Sequence, residues 1–218
     1  MTAFATWDPT ARHDYMGVFS NGYLTFSNVD DSKNNNTIVV ATPQSFGKFY
    51  VEMFFTNMTT QNSGANAFGL ITPSYDFTGF VGQDGNSCGI ALDPNGPDMV
   101  YYPGTRGFIL VDPWPCNYSS IVRSAIDLTN RLYWWNADNL GWNGGSTADP
   151  ATGVGGIVID QTGPLKMAMT LYLWDGSPGM ISATTNFGAT PFAFARPAGF
   201  GLWPAAPPIQ VPFRAAVG

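Results

Sequence analysis

Apolar residues recur at every second position in several short stretches of this chain, and no stretch keeps a 3.6-residue period for three turns. Period-two alternation is the mark of β-strands. The segment KFYVEMFF sets Phe49, Val51, Met53 and Phe55 on one face and Tyr50, Glu52 and Phe54 on the other. Both faces are largely apolar, which predicts a central strand covered on both sides. GYLTFS follows a turn at Asn21-Gly22, and NAFGLI and SCGIAL read as short strands bounded by Gly, Asn and Pro. IVRSAIDL and RLYWWN predict a hairpin with Thr129-Asn130 at its tip. LKMAMTLYLW and MISATTNFG predict a second pair, joined by the turn-former sequence DGSPG. Strands spaced every eight to twelve residues or so predict an all-β antiparallel sandwich. Its core is expected to hold Phe49, Val51, Phe68, Leu70, Leu132, Phe187 and Phe192.

Two segments break the pattern. Asn136 to Gly156 is rich in Gly, Asp and Asn, and a loop of that length in a compact domain is usually functional or mobile. From Trp203 the chain runs WPAAPPIQVPFRAAVG, Pro-rich and without alternation. That composition predicts an extended, partly polyproline stretch outside the core. The expected organisation is one sandwich over residues 1–203 and an extended C-terminal arm over 204–218.

Composition narrows the function. Of the 218 residues 44% are hydrophobic and only 11% charged, so Asn, Thr, Ser, Gly and Gln must build most of the surface. Such a surface suits packing against neighbours, a second copy included, or holding neutral hydrogen-bonding ligands. The formal net charge is -6 and there is no Lys/Arg cluster, which argues against nucleic acid as a partner. No run of about eighteen apolar residues is present, so no transmembrane helix or membrane insertion is expected. The N-terminus lacks the basic and apolar regions of a secretion leader. Fourteen of the fifteen acidic residues are Asp and one is Glu52, a bias toward turns and caps.

Catalytic and metal chemistry find little footing. A glycosidase needs paired carboxylates, and with Glu52 alone the alternating Glu/Asp strand signature cannot be written. Glu52 reads as a paired or edge-facing acid on a central strand, and His13, the sole histidine, as an exposed turn residue. Asp30, Asp31 and Asn34 offer oxygen ligands but lack the order of a calcium loop. Cys88 and Cys116 have no histidine partners for zinc and read as thiols rather than a disulfide. Asn35, Asn57 and Asn117 fall in sequons that chance explains in so Asn/Thr-rich a chain. No cofactor is expected.

The closing stretch NFGATPFAFARPAGF resembles the last strand of SPRY (B30.2-like) domains, especially those of bacterial and phage proteins, through Asn186-Phe187-Gly188, Pro191-Phe192, Phe194 and Pro197-Ala198-Gly199-Phe200. TWDPT near the start, GKFYVEMFF, AFGLIT, GFVGQDGNSCGIAL and AIDLTNRLYWWN fall in the order of that family's other motifs. The resemblance spans about residues 5–203 and implies a single β-sandwich that binds rather than catalyses. Its phage flavour implies a virion component, such as a head fibre, tail fibre or decoration protein, that meets other virion subunits and recognises a host-surface glycan or protein. The alternatives are a stand-alone lectin-like module, cytoplasmic or extracellular, and, with less support, a glycoside hydrolase. SPRY-like domains bind through loops at one end. The longest departures from the pattern, Pro103 to Ser120 and Asn136 to Gly156, carry exposed-looking aromatics beside Asn and Asp. Tyr101, Tyr102, Arg106, Trp114, Trp135 and Trp142 are therefore the expected partner-binding residues. Trp134 and Trp135 are neighbours on a strand, so one is expected in the core and the other outside it.

Overall fold

Two seven-stranded antiparallel sheets face each other across a shared apolar core. The computed structural model describes residues 4–12, 17–28, 35–40, 42–56, 66–92, 99–102, 109–110, 120–138, 140–145, 147–172 and 180–205. The first sheet runs, in spatial order, β1 (Trp7–Arg12), β4 (Asn35–Val40), β13 (Lys166–Tyr172), β6 (Asn66–Ile71), β7 (Ser87–Leu92), β8 (Met99–Tyr102) and β9 (Ile109–Leu110). The second runs β12 (Ile157–Val158), β11 (Leu132–Ala137), β10 (Ile121–Asp127), β5 (Lys48–Thr56), β14 (Ile181–Asn186), β3 (Thr25–Asn28) and β2 (Gly17–Ser20). β5 sits fourth of seven, the central position its two apolar faces require. Phe49, Val51, Met53 and Phe55 point inward, against Met167, Met169 and Leu171 of β13 and Phe68 and Leu70 of β6.

Three local readings of the sequence hold. The Asn21-Gly22 turn joins β2 to β3, with both residues at positive φ (50° and 63°). The β10–β11 hairpin pairs Asp127 with Leu132, leaving Leu128 to Arg131 as its loop. NAFGLI and SCGIAL are the strands β6 and β7, which pair antiparallel with Gly69 opposite Gly89. The two backbones approach so closely there that a Cβ on Gly69 would overlap the Cys88 carbonyl oxygen and the Gly89 Cα. Gly69→Ala is expected to cost about 1–3 kcal/mol by forcing these strands apart, measurable as a lowered urea midpoint.

Three expectations are corrected. β13 and β14 do not form a hairpin: β13 pairs with β4 and β6, whereas β14 pairs with β3 and β5 in the other sheet. Turn residues specify a reversal of direction, not which layer the returning strand joins. Leu132 and Phe192 lie outside the inter-sheet core, half-buried against Tyr50, Ala125, Trp134 and Phe200 on the outer face of the second sheet. Trp203 is not the start of a loose arm. It is fully buried, packs on Phe49 at 4.8 Å between ring centroids, and donates from Nε1 to the Thr42 carbonyl at 3.0 Å. Pro204 still bridges Phe4. Residues 206–218, the rest of the expected arm, lie outside the described residues.

Register fixes the two ends of the sandwich. β12, two residues long, pairs beside the start of β11. Pairings such as Asn35 with Tyr172, Leu92 with Met99, Asn28 with Gly17 and Thr56 with Ser182 gather one set of strand ends together. Asn28 of the second sheet donates to Leu171 O of the first at 3.2 Å, so these ends share one side, here called the crown. Five connections that cross between the sheets, 13–16, 29–34, 57–65, 111–119 and 173–179, begin and end at crown-side strand termini. The opposite side, the base, holds the β10–β11 loop and the Phe4–Pro204 bridge.

Candidate functional site

The outer face of β5 carries Lys48, Tyr50 and Glu52 at alternate positions, the first tied to the β10–β11 hairpin and the other two to the closing segment. Lys48 Nζ stands 3.3 Å from Asp127 Oδ2 in the β10–β11 hairpin. The Tyr50 hydroxyl donates to Glu52 Oε1 at 2.8 Å, and its ring meets Phe192 edge-on at 4.8 Å. Burial, then the bond to Glu52, pushes that hydroxyl far above the ordinary tyrosine range. Glu52 is buried and accepts two further bonds, from the backbone N–H groups of Ala193 (2.8 Å) and Phe194 (2.9 Å). The expected paired acid is thus paired with the chain's own closing segment.

That segment has its own logic. Asn186 Oδ1 accepts from Gly188 N at 2.9 Å, and its Nδ2 donates to Thr190 O at 3.1 Å. Phe187 plugs the core against Trp7 at 5.2 Å, and Gly188 turns at φ 108°. The chain then crosses the outer face of the second sheet and returns at Gly201, which occupies the ladder position beside Phe49 that β14 vacates. Of the four phenylalanines, only Phe187 enters the inter-sheet core; Phe192 and Phe200 pack on the outer face.

Burial pushes the Asp127 carboxyl upward, but the backbone and side-chain N–H groups of Asn130 and the Lys48 ammonium outweigh it and hold it below the usual range. A lowered folded-state pKa contributes stability above the unfolded value of about 3.9 and loses it as pH falls through the folded value. Asp127→Asn is expected to cost about 1–3 kcal/mol at pH 7. Its deficit should shrink toward zero between about pH 4 and pH 2, which melting curves across that window would read.

Arg123 of β10 lies opposite Glu52 of β5 and Asn136 of β11. Its guanidinium is buried, stacked 4.1 Å from the Phe194 ring centroid and 5.3 Å from that of Trp142, and it donates to the Asp138 carbonyl. Burial lowers its pKa, opposed by Tyr50, Glu52 and Asp138. The Asn136–Gly156 stretch, expected as a functional or mobile loop, is pinned where it is described. Asn143 accepts from Trp135 N and donates to Gly155 O, and Trp134 Nε1 donates to Val154 O at 2.8 Å.

The expected binding residues are therefore not brought into one described patch. Trp135 is fully buried between the sheets and is a core residue, not a surface one. Trp134 is buried too, beneath Phe200 and the 142–156 segment, so neither neighbour faces solvent. Trp142 sits over Arg123 on the second sheet. Tyr101 and Tyr102 belong to β8 of the first sheet, paired with Ile90 and Gly89. Arg106 and Trp114 lie outside the described residues, on connections that leave opposite ends of β9. Cys88 is buried in the core, while His13, Asp30, Asp31, Asn34 and Cys116 lie outside the described residues.

The sequence led to no expected binding residue on the segment from Thr72 to Asn86, of which only Gly79 onward was read as a motif. It folds back over the outer face of the first sheet, where Tyr75 and Val81 pack on Val39, Ala67, Ile71 and Ala168. Val81 N donates to Thr170 Oγ1 at 3.0 Å and the Tyr75 hydroxyl donates to Gly79 O at 2.7 Å. Burial pushes that hydroxyl up to about 12. Concavities of about 270 and 260 Å³ lie on either side of Tyr75, the first lined by Asp76, Thr78, Gln83 and Asp84. The missed signal was aromatics beside Asp, at Tyr75-Asp76-Phe77.

Solved structures share this arrangement of strands. The TRIM65 PSpry domain matches with a TM-score of 0.59 at 12% identity, covering 84% of this chain and 91% of that one. The SPRY domain of human HERC1 matches at 0.53 and 12%, covering 82% of this chain and 96% of that one. The fold is that of a SPRY domain. A further human SPRY domain agrees, with a TM-score of 0.55, 16% identity and coverage of 84% and 100%. No family model and no curated protein matches the chain. Within this SPRY fold two of the sequence stretches that carry the resemblance touch each other: Tyr50 and Glu52 of GKFYVEMFF hold down Phe192, Ala193 and Phe194 of the closing segment.

Proposed function

We propose that this chain is a non-enzymatic recognition module whose partner docks on the crown. The observation that carries the reading is topological. The strand ends that five inter-sheet connections join gather at one end of the sandwich, so segments far apart in sequence depart from the same side, the arrangement by which scaffolds carry binding loops. The chemistry of Glu52 supports binding over hydrolysis: the only glutamate spends both carboxylate oxygens on the chain's own donors. SPRY folds serve in general as protein-interaction modules. The finer reading rests on the bacterial and phage character of the closing motif. It makes the chain a virion component that attaches to other virion subunits and recognises a host-surface glycan or protein.

Two measurements test this. Protein composition of purified particles, with labelling by an antibody to this chain, reads the virion assignment. Absence from particles leaves a stand-alone lectin-like module. Binding to host cells or a glycan array, with Trp114→Ala and Trp142→Ala each accompanied by a melting curve, reads the surface. Truncating a stacked aromatic anchor costs about 1–3 kcal/mol of binding, a 5- to 150-fold loss. A loss with Trp114→Ala alone fits the crown, since Trp142 is committed to Arg123. Unchanged binding in both variants would refute this placement of the site.

A further inference from the structure

The outer edge of the first sheet holds a cleft that the crown does not use. Its origin is a mismatch in register. β1 pairs Trp7 with Val40 and Arg12 with Ile38, so five steps along β1 oppose two along β4, and the edge strand bows outward. The gap is the concavity of about 260 Å³. Ala11 of β1, Val39 of β4 and Ile71 of β6 line it, and Tyr75 and Phe77 wall it from the overlying segment. These two rings meet edge to face at 5.3 Å and 71°.

Two features show that this is more than a packing defect. Phe77 holds φ at 63°, a left-handed conformation that a bulky side chain rarely adopts, and strain of this kind clusters at ligand clamps. The Tyr75 hydroxyl is already given to Gly79 O, so in the cleft the tyrosine offers only its ring. The lining is mostly apolar; Thr10 and Thr72 add hydroxyls, and Lys166, opposite Ile71 across the β13–β6 ladder, supplies the one charge among the lining residues. Among the described residues Lys166 has no ion-pair partner. Asp8, the acid nearest in sequence on β1, turns its Oδ1 to Thr10, and Asp76 turns its Oδ1 to Thr78 in the neighbouring concavity.

We infer that this cleft binds a small monoanion, a carboxylate on an aromatic or branched apolar body. The carboxylate sits on the Lys166 ammonium and the body lies against Tyr75, Phe77 and Ile71. The volume is below the roughly 300–1,000 Å³ of pockets for drug-sized ligands, which limits the body to about a dozen heavy atoms. A free acid and the C-terminal residue of a polypeptide share this chemistry. The inference goes beyond the recognition role and does not depend on it, because crown and cleft use different residues.

The test is a calorimetric or NMR titration of the full chain with 3-phenylpropanoate, its uncharged amide, and a short acetylated peptide ending in Phe as acid or as amide. At least one acid should bind with a dissociation constant on the order of 0.1–1 mM, and its amide at least about tenfold more weakly. Preference for 3-phenylpropanoate marks a free small acid; preference for the peptide acid marks a chain terminus. Lys166→Met keeps the side chain's length and should abolish the acid-over-amide preference with little change in melting temperature. Phe77→Gly should relieve the backbone strain, raise or hold stability, and weaken both ligands. If Lys166→Met is unstable, Lys166→Gln serves the same purpose. Equal binding of acid and amide, no binding of either acid, or an unchanged preference in the lysine variants would overturn the inference.

Discussion

Replacing Trp203 by alanine should lower stability by about 3–5 kcal/mol, the range for deleting a fully buried large aromatic. Three contacts meet at that one residue, the first two through its side chain. Its ring fills the base of the core beside Phe49, its Nε1 satisfies the Thr42 carbonyl, and its backbone oxygen accepts from Ala5 N at 3.2 Å. The variant should unfold at a clearly lower urea midpoint and melt about 10 °C lower, since each kcal/mol is worth about 2–4 °C in a chain of this size. Serial truncation makes the same point. A chain ending at Ala205 should melt like the full chain, whereas one ending at Leu202 should lose cooperative unfolding. Equal stability of the two would place Trp203 outside the core.

Glu52→Ala is expected to be of similar size, about 3–5 kcal/mol, for a different reason. Removing the carboxylate leaves the N–H groups of Ala193 and Phe194 and the Tyr50 hydroxyl without their acceptor, and leaves the buried Arg123 guanidinium without the opposing charge across the ladder. Each orphaned buried donor costs about 1–3 kcal/mol unless water reaches it. Glu52→Gln keeps one acceptor oxygen and should cost less than Glu52→Ala. Hydrogen exchange gives a local readout: the amides of residues 193 and 194 should lose protection before the β5–β10 ladder does. Combining Glu52→Ala with Arg123→Met should cost less than the sum of the two, because residues in one network do not act independently. Strict additivity would show that the two charges are energetically separate.

What sequence revealed, and what it withheld, follows the range of the interaction concerned. The facing of Phe49, Val51, Met53 and Phe55 was legible because strand geometry is set by neighbours two residues apart. So were the Asn21-Gly22 turn and the tip at Thr129-Asn130, whose geometry is local. The ordered motifs of GKFYVEMFF and the closing segment were legible as a pattern, although their mutual contact through Glu52, across more than 140 residues, was not. The outer faces were illegible for the same reason. Trp134 reads as exposed if Trp135 is core, until a lid from residues 142–156 and 192–200 covers it. Trp203 was hidden by the prolines that follow it, since composition describes a stretch and burial belongs to one residue. The candidate surface suffered most: aromatics beside Asn and Asp marked Trp142 and Trp135, which stack on an arginine or fill the core, with the same signal that marks Tyr75 and Phe77.

The Phe4–Pro204 bridge has a practical meaning. Entry and exit of the folded body lie next to each other at the base, while the strand ends joined by five of the inter-sheet crossings lie at the far end. A body wired in this way can be spliced into a surface loop of an unrelated host protein, with both splice points separated by little more than the width of a strand pair. Neither host nor guest would need to stretch, and the guest would stand upright with its crown pointing away from its carrier.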